Sequence, residues 1–358
     1  MFLAVVLCAL GYVLWHVWCL LPVGKALKWV VVLAMAAVFF SMFLFIGGTL
    51  ERLPLNTASV AYDVSTSALI VMLYLLITFL VMDIARLCRL LPAKALHANW
   101  VSLAAIVVVL LTVFVYGNLH YRHKVRVPLQ LTTAKPLPKA YKIVMASDLH
   151  LGYHNRRAEL ARWVDLINAE KADLVLIAGD IIDISIRPLE EERMAEEFHR
   201  LNAPVYACLG NHEYYSNQPK ARKFYQEAGI RLLIDSTAVV DSALTIIGRD
   251  DRTNPSRRDL KSLMAGVDRS TYTIVLDHQP YLLEQTEQSG ADFQFSGHTH
   301  RGQVWPISWI TDAVYECSWG ACKRGDTQYY VSSGMGIWGG KFRIGTQSEY
   351  VVATLSRP

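Results

Sequence analysis

The chain has 358 residues, 53 % of them apolar and only 18 % charged. That is enough for more than one domain, and too oily for a purely soluble one. Six Lys/Arg and three Asp/Glu precede residue 121, and 29 and 28 follow; the near-neutral C-terminal part has no basic stripe, which excludes nucleic acid as the main partner.

Four apolar segments come first, at residues 2–21, 29–47, 64–82 and 100–117. Each has about the ~20 residues that a helix needs to cross a bilayer. The first lacks the basic leader and small-residue cleavage site of a signal peptide, and three further spans follow it. Residues 1–117 are therefore expected to form an all-α four-helix transmembrane region. The loops after the first and third spans carry Lys25, Lys28, Arg86, Arg89 and Lys94, and the opposite side carries Arg52, Arg122, Lys124, Arg126 and Lys135. This near tie is broken by the first span, which no charge precedes and two lysines follow, so the N-terminus and the C-terminal domain are expected outside. His16 is the one ionisable group clearly inside a span, and so a functional candidate by default, beside the blander reading of an interfacial histidine. With no buried charge pair or broken span legible, transport has no support.

Residues 118–139 read as a juxtamembrane tether with a first strand. His120, Arg122, His123, Lys124 and Arg126 suit the headgroup level, and Val125, Val127, Leu129 and Leu131 alternate with other residues as in a half-buried strand. From 140 to 358 strands and helices alternate. Apolar, β-branched runs at 143–146, 174–178, 205–209 and 272–276 predict buried strands, with short ones at 232–234, 239–240 and 244–247 and later ones, beside Gly-rich turns, at 328–331 and 350–355. Helical spacing predicts helices at 155–169, 189–201, 218–228, 257–265 and 280–288. Such a pattern implies one domain of mixed sheets flanked by helices. Cys8, Cys19, Cys88 and Cys208 read as packing residues. Cys317 and Cys322 form either a small disulfide loop, which would fit an oxidising compartment, or two free thiols.

The chemistry lies at the ends of these strands, where open α/β sheets place their sites. Asp148-Leu149-His150 follows the first run, Gly179-Asp180 the second, Gly210-Asn211-His212-Glu213 the third; His278 closes a later run, and Gly297-His298-Thr299-His300 comes last. Two imidazoles two residues apart point to the same side of an extended segment, which suits joint ligation. Each motif alone is ordinary, but five in this order are specific. Together they resemble the calcineurin-like metallophosphoesterases, over essentially all of the chain from Tyr141. The stretches Gly-His-Thr-His-Arg-Gly-Gln and Ser333-Gly334-Met335-Gly336-Ile337-Trp338-Gly339 look like the bacterial membrane-associated branch, which includes enzymes similar to UDP-diacylglucosamine pyrophosphohydrolases. The resemblance implies an α/β (α+β) sandwich of two mixed sheets flanked by helices, carried by an integral protein of the bacterial inner membrane.

Cleaving a phosphate ester needs a nucleophile at neutral pH and cations to take up phosphoryl charge, which two metals bridging a hydroxide supply. Such a pair needs one carboxylate with an oxygen for each ion, and Asp180 is placed for that. The resemblance assigns Asp148, His150 and His300 to one metal and Asn211, His278 and His298 to the other. Mixed N/O ligation suits two divalent ions of Mn, Fe, Zn or Co. His212, next to a ligand, is the expected general acid, and Asp183 matches the family carboxylate that orients it. Ile184, where the phosphatase branch has Arg, weakens a protein-phosphatase reading. Arg301, where the family usually has Gly, and His154 are candidate substrate contacts, whereas Asn155 reads rather as a helix cap. Asp250 and Asp251 either face the site or make surface ion pairs, and Glu213 reads as a loop carboxylate. Trp305, Trp309, Trp319 and Trp338 either pack the domain or form a lipid-engaging rim.

The expectation is a membrane-anchored, dinuclear phosphohydrolase acting on a phosphate ester or pyrophosphate of a lipid or envelope molecule, with membrane lipids as partners. The alternatives are a phosphodiesterase for a soluble nucleotide-type substrate, with the spans as anchor, and an inactive scaffold, against which every ligand position is filled.

Overall fold

A computed structural model describes residues 2–45 and 48–358. The end of the second expected span, residues 46–47, lies outside them. The chain divides into two compact units, residues 1–119 with Gly339–Lys341, and His120–Trp338 with Phe342–Pro358.

The first unit is built on helices α1 (Phe2–Leu20), α2 (Lys25–Phe45), α3 (Leu55–Leu87) and α4 (Trp100–Arg122). All four are long and apolar enough to cross a membrane. Asn99 opens α4 by accepting the Ser102 N–H at 3.1 Å, the usual N-terminal cap. At 33 residues, α3 runs about 50 Å, well past the expected 64–82 and past a hydrocarbon core of ~30 Å. The overrun carries Asp83, whose Oδ2 lies 3.0 Å from His16 Nε2 and accepts the Tyr12 hydroxyl at 2.7 Å. His16 is buried and stacks on Phe79 at 4.8 Å. The helices thus hold a part-buried polar cluster of Tyr12, His16 and Asp83, with Arg86 3.7 Å from the Asp83 carboxylate. Asp83 sits one residue beyond the apolar segment, so reading span by span misses it.

The second unit holds two six-stranded sheets. The first contains β1 (Lys124–Thr132), β2 (Tyr141–Ala146), β3 (Leu174–Ala178), β4 (Val205–Cys208), β5 (Arg231–Leu232) and β12 (Ser348–Ser356), in the order β1-β12-β2-β3-β4-β5. The second contains β6 (Ser236–Val240), β7 (Leu244–Gly248), β8 (Tyr272–Leu276), β9 (Phe293–Ser296), β10 (Gly320–Arg324) and β11 (Thr327–Val331), in the order β10-β11-β9-β8-β7-β6. β12 runs antiparallel to β2, β6 to β7 and β10 to β11; every other pairing is parallel. Period-two alternation builds the layers. Ile143, Met145, Leu174 and Leu176 face Leu244, Ile246, Ile274 and Phe293 between the sheets. Val144, Ala146, Val175 and Ile177 point outward and pack on Leu160, Trp163 and Val164 of helix α5 (Arg157–Ala169). The two-sheet sandwich expected from the sequence is what forms.

Differences are local. The expected helix at 189–201 is two short ones, α6 (Arg187–Glu191) and α7 (Ala195–Phe198), separated at Arg193, whose φ of 51° cannot continue a helix. Asn155 does not cap α5: Arg156 holds the cap position, and the Asn155 side chain joins the Tyr121 hydroxyl (2.6 Å) to the Leu149 carbonyl (3.1 Å). Lys124 and Arg126 engage protein groups, the ring of Tyr121 at 3.6 Å and Glu170 at 2.8 Å. Helices α8 (Asn211–Tyr215), α9 (Gln218–Glu227), α10 (Leu260–Met264), α11 (Leu283–Ser289) and α12 (Ile307–Val314) complete the unit. Of these α8 and α12, like β9 and β10, were not expected.

Candidate metal centre

The five motifs meet where the carboxyl ends of β2, β3 and β4 in one sheet face those of β8 and β9 in the other. Asp148 and His150 follow β2, Asp180 and Asp183 follow β3, Asn211 and His212 open α8 after β4, His278 follows β8, and His298 and His300 follow β9. Tight reversals force Asp148, His150, Asp180, His298 and His300 into left-handed backbone, with φ from 44° to 71°. Asp and His tolerate that region better than most residues, and such strain gathers where a site over-determines the backbone. Gly179 (φ 73°) has no alternative, because a Cβ there would lie 2.8 Å from both Gly210 Cα and the His278 ring.

The side chains converge in three overlapping groups, Asp148/His150/His300, His150/Asp180/His212 and Asp180/His278/His298, in each of which the donor atoms lie within 4.8 Å of one another. The Nε2 atoms of His150 and His300 are 3.0 Å apart, and His300 Nε2 is 3.4 Å from Asp148 Oδ1. Asp180 Oδ2 faces the first and last of these, 3.1 Å from His278 Nε2 and 3.8 Å from His150 Nε2. Asn211 Oδ1 joins the last group, 2.9 Å from His298 Nδ1. Asp183 lies 3.2 Å from His212 Nδ1 and also 3.3 Å from His150 Nδ1. His154 is buried, with Nε2 on the Ile337 carbonyl at 2.6 Å and Nδ1 3.6 Å from Asp183. Both its nitrogens thus address protein groups. The Arg301 guanidinium lies over Trp319 at 4.0 Å.

The electrostatics are those of a cluster that wants a cation. Burial and the charge of Asp180 push the Asp148 carboxyl up, with His278 and His150 pulling against them. Burial also opposes ionisation of Asp180, but His278 and His212 hold it well below the usual carboxylate range. For Asp183, hydrogen bonds from His150 and His212 overcome burial in the same direction. Burial would neutralise His212, yet Asp180 and Asp183 raise it to about 9. His278 is likewise raised by Asp180 against burial. Burial and neighbouring His278 lower His298 to about 4, and burial, His150 and Arg343 lower His300. His278 Nε2 is buried with no hydrogen-bond partner of good geometry, although it faces Asp180. Buried carboxylates crowded together, neutral imidazoles and an unmatched ring nitrogen fit divalent cations bound by mixed N/O donors.

Three supporting residues escape a motif reading. Glu213 is no loop carboxylate: wholly buried, it accepts from the backbone of Asp180 (3.1 Å), Ile182 (3.0 Å) and Gly210 (2.7 Å) and from the Tyr225 hydroxyl (3.0 Å). Its place beside Asn211 and His212 was the available signal. Arg343 and Glu349, both buried, sit beyond the last motif, and nothing in their spacing marks them. Asp250 and Asp251 are buried rather than surface residues, bonded to Tyr214 (2.7 Å) and to Gln279 (2.9 and 3.0 Å) respectively.

The family model for calcineurin-like phosphoesterases matches residues 141–302. An uncharacterized metallophosphoesterase of Aquifex aeolicus is 30 % identical over 232 residues, covering 61 % of this chain and 87 % of that protein. Another, from Campylobacter jejuni, is 30 % identical over 226 residues, 61 % of this chain and 60 % of that one. A Danio rerio protein described as a transmembrane protein with metallophosphoesterase domain is 29 % identical over 226 residues, 58 % of this chain and 51 % of that one. The match thus spans less than two thirds of the last two relatives, 60 % and 51 % of their lengths.

Proposed function

This chain belongs to the calcineurin-like phosphoesterase family, and we propose that it is a membrane-anchored hydrolase that holds two divalent cations and cleaves a phosphate ester or pyrophosphate bond of a lipid or envelope-linked substrate. The observation that carries this is the pair of donor groups with the Asp180 carboxylate between them. Asp148, His150 and His300 would hold one cation, Asn211, His278 and His298 the other, and Asp180 both. When bound, such a pair supplies Lewis-acid charge for the phosphoryl oxygens and a nucleophile at neutral pH.

The chain's own groups do the rest. Asp180 and Asp183 push His212 up in the metal-free protein, and Asp183 faces its Nδ1 at 3.2 Å, which leaves Nε2 as the position from which a proton would reach a leaving group. The His212 side chain is 13 % exposed where that of His150 is wholly buried, which leaves it open to a substrate.

Support for a lipid comes from α12, which follows directly on the His300 turn. Its outer face is apolar and bare: Trp309, Ile310 and Val314 are 60–65 % exposed. On a chain with four candidate spans, a tryptophan-bearing apolar face is suited to the membrane interface. In full-length protein, the double variant Trp309→Ser/Ile310→Ser should keep its rate on a soluble chromogenic diester. It should lose about tenfold or more on a phospholipid presented in vesicles, given ~1.5–3 kcal/mol for each large side chain moved out of water. An unchanged ratio of the two rates would sink the lipid reading and leave a soluble substrate.

The same reading puts the spans in a bacterial inner membrane with the catalytic unit outside, supported by the Cys317–Cys322 disulfide, a bond of oxidising compartments. A protease added to spheroplasts should cut the unit after Leu119. Full protection until lysis would place it in the cytoplasm and favour a nucleotide-linked lipid precursor of the UDP-diacylglucosamine type.

A further inference from the structure

Among the described residues Arg343 is the largest fully buried side chain. Arginine is almost never buried without a carboxylate partner, yet among the described residues Arg343 makes no ion pair. Its guanidinium instead collects oxygens of neutral groups. Nη1 donates to the carbonyl of His300 at 2.7 Å, Nη2 to those of Ser333 and of Gly336 (3.1 Å), and Nε to Ser348 Oγ at 3.2 Å. The fork shape of the group is what permits this, since a single ammonium cannot span so many acceptors at fixed angles.

The acceptors share a location. His300 sits in left-handed backbone at φ 47°, in a turn whose own bonds leave its carbonyl shared between Gln303 N–H and Arg343. The segment 333–336 lies against the other side of the same half-site: Met335 N–H bonds the Ser147 carbonyl at 3.0 Å and Gly336 N–H that of Asp148 at 2.9 Å. A Cβ on Gly334 would lie 2.9 Å from Asp148 Cβ and 3.2 Å from His300 Nδ1, so the packing has no slack. Asp148 and His300 come from opposite ends of the domain sequence and from different sheets. Arg343 ties the carbonyl of one to the segment that grips the other.

We propose that Arg343 is a positioning residue for the Asp148/His150/His300 half of the centre, holding the His300 turn against the Asp148 loop so that their donor atoms converge. None of its bonds reach Asp180, His278 or His298; that half is tied to the Asp148 loop only through the His298 N–H, which donates to the Asp148 carboxylate at 3.0 Å, so it should feel the loss less. This rests on the two-cation reading above. Groups that orient metal ligands change affinity by about 10–100-fold when removed, and here the loss should fall mainly on one cation.

The test uses full-length protein in detergent, stripped of metal and titrated with Mn²⁺, read by calorimetry for affinity and stoichiometry and by electron paramagnetic resonance for coupling between ions. Wild type should bind two ions with an exchange-coupled signal. Arg343→Gln should bind one with an affinity within about threefold of wild type and the other about 10–100-fold more weakly, giving an uncoupled spectrum at one equivalent and beyond. His300→Ala should show the same split, and the double variant should be no worse than either. Arg343→Lys keeps the buried charge with fewer aligned donors, so it serves if the glutamine variant does not fold; it should show the same one-sided loss, at smaller size. Equal weakening of both ions, or two ions bound with wild-type affinity and coupling in Arg343→Lys and Arg343→Gln, would overturn the inference and leave the two-cation reading intact. Fewer than two ions on the wild type would overturn both.

Discussion

Replacing Glu213 by Gln tests whether the Asp180 loop is held by one buried carboxylate. Oε2 accepts from Asp180 N–H (3.1 Å) and Gly210 N–H (2.7 Å), and Oε1 from Ile182 N–H (3.0 Å) and Tyr225 O–H (3.0 Å). Glutamine keeps one acceptor oxygen and turns the other into a donor. The best arrangement puts the new NH₂ at the Oε1 position, where the Tyr225 hydroxyl can rotate and accept from it. The Ile182 N–H is then stranded, at about 1–3 kcal/mol for a buried unsatisfied group. The remaining bonds also fall from charge-assisted to neutral strength, roughly half. A total of about 2–4 kcal/mol follows, which in a domain of this size lowers Tm by about 5–15 °C. Glu213→Ala strands three N–H groups, ~3–9 kcal/mol, comparable to a domain's whole stability. Tyr225→Phe removes one donor and should cost about 1 kcal/mol. Differential scanning calorimetry of the full-length protein, stripped of metal and loaded with it, gives the ranking Ala, Gln, Phe. If Glu213→Gln melted within a degree of wild type and bound cations equally well, Glu213 would not be bracing the loop.

Two substitutions separate binding from turnover. Asp180→Asn should lower cation content and activity together, measured by elemental analysis and phosphate release, because the shared carboxylate loses an anionic oxygen. His212→Ala should keep its cations and slow an ordinary ester about 10²–10⁴-fold, with much less effect on an activated aryl phosphate; equal slowing of both would remove the general-acid role. The pKa shifts set a pH window for the metal-free protein. His212, raised to about 9, contributes stability that is fully present below its unfolded value near 6.5 and is lost as pH rises through 9. His298, lowered to about 4, contributes stability present above 6.5 and lost as pH falls toward 4. Metal-free protein should therefore melt highest near pH 6.5 and lose stability in both directions, toward 4 and toward 9. A melting temperature that rose on acidification from 6.5 to 4 would refute that assignment.

The four helices, the alternation of strands and helices, and the five motifs were legible in the sequence because each rests on local pattern. Apolar length marks a helix that needs no partner to satisfy its backbone. A buried run followed by Asp, Asn or His marks a strand delivering a ligand, and Asp148, Asp180, Asn211, His278, His298 and His300 all lie together where that pattern put them. What escaped depended on contacts between distant residues. His16 and Asp83 meet only because α1 packs on α3. Glu213 became a brace only once three backbone N–H groups turned toward it. Strand β9 is short, and with only four residues it carries little periodicity of its own. Helix α12 turns its apolar face outward, so the usual reading of apolar spacing as a buried face would have placed it the wrong way round. Which residues can ligate is written in their side-chain chemistry, and the strand ends bring them near one another. Whether their donor atoms converge depends on a backbone held in left-handed turns by groups such as Arg343 and Glu213. Those groups act through carbonyls and N–H groups that every residue possesses, so their bracing role is not legible in the sequence, even for Glu213, which its place beside Asn211 and His212 singles out.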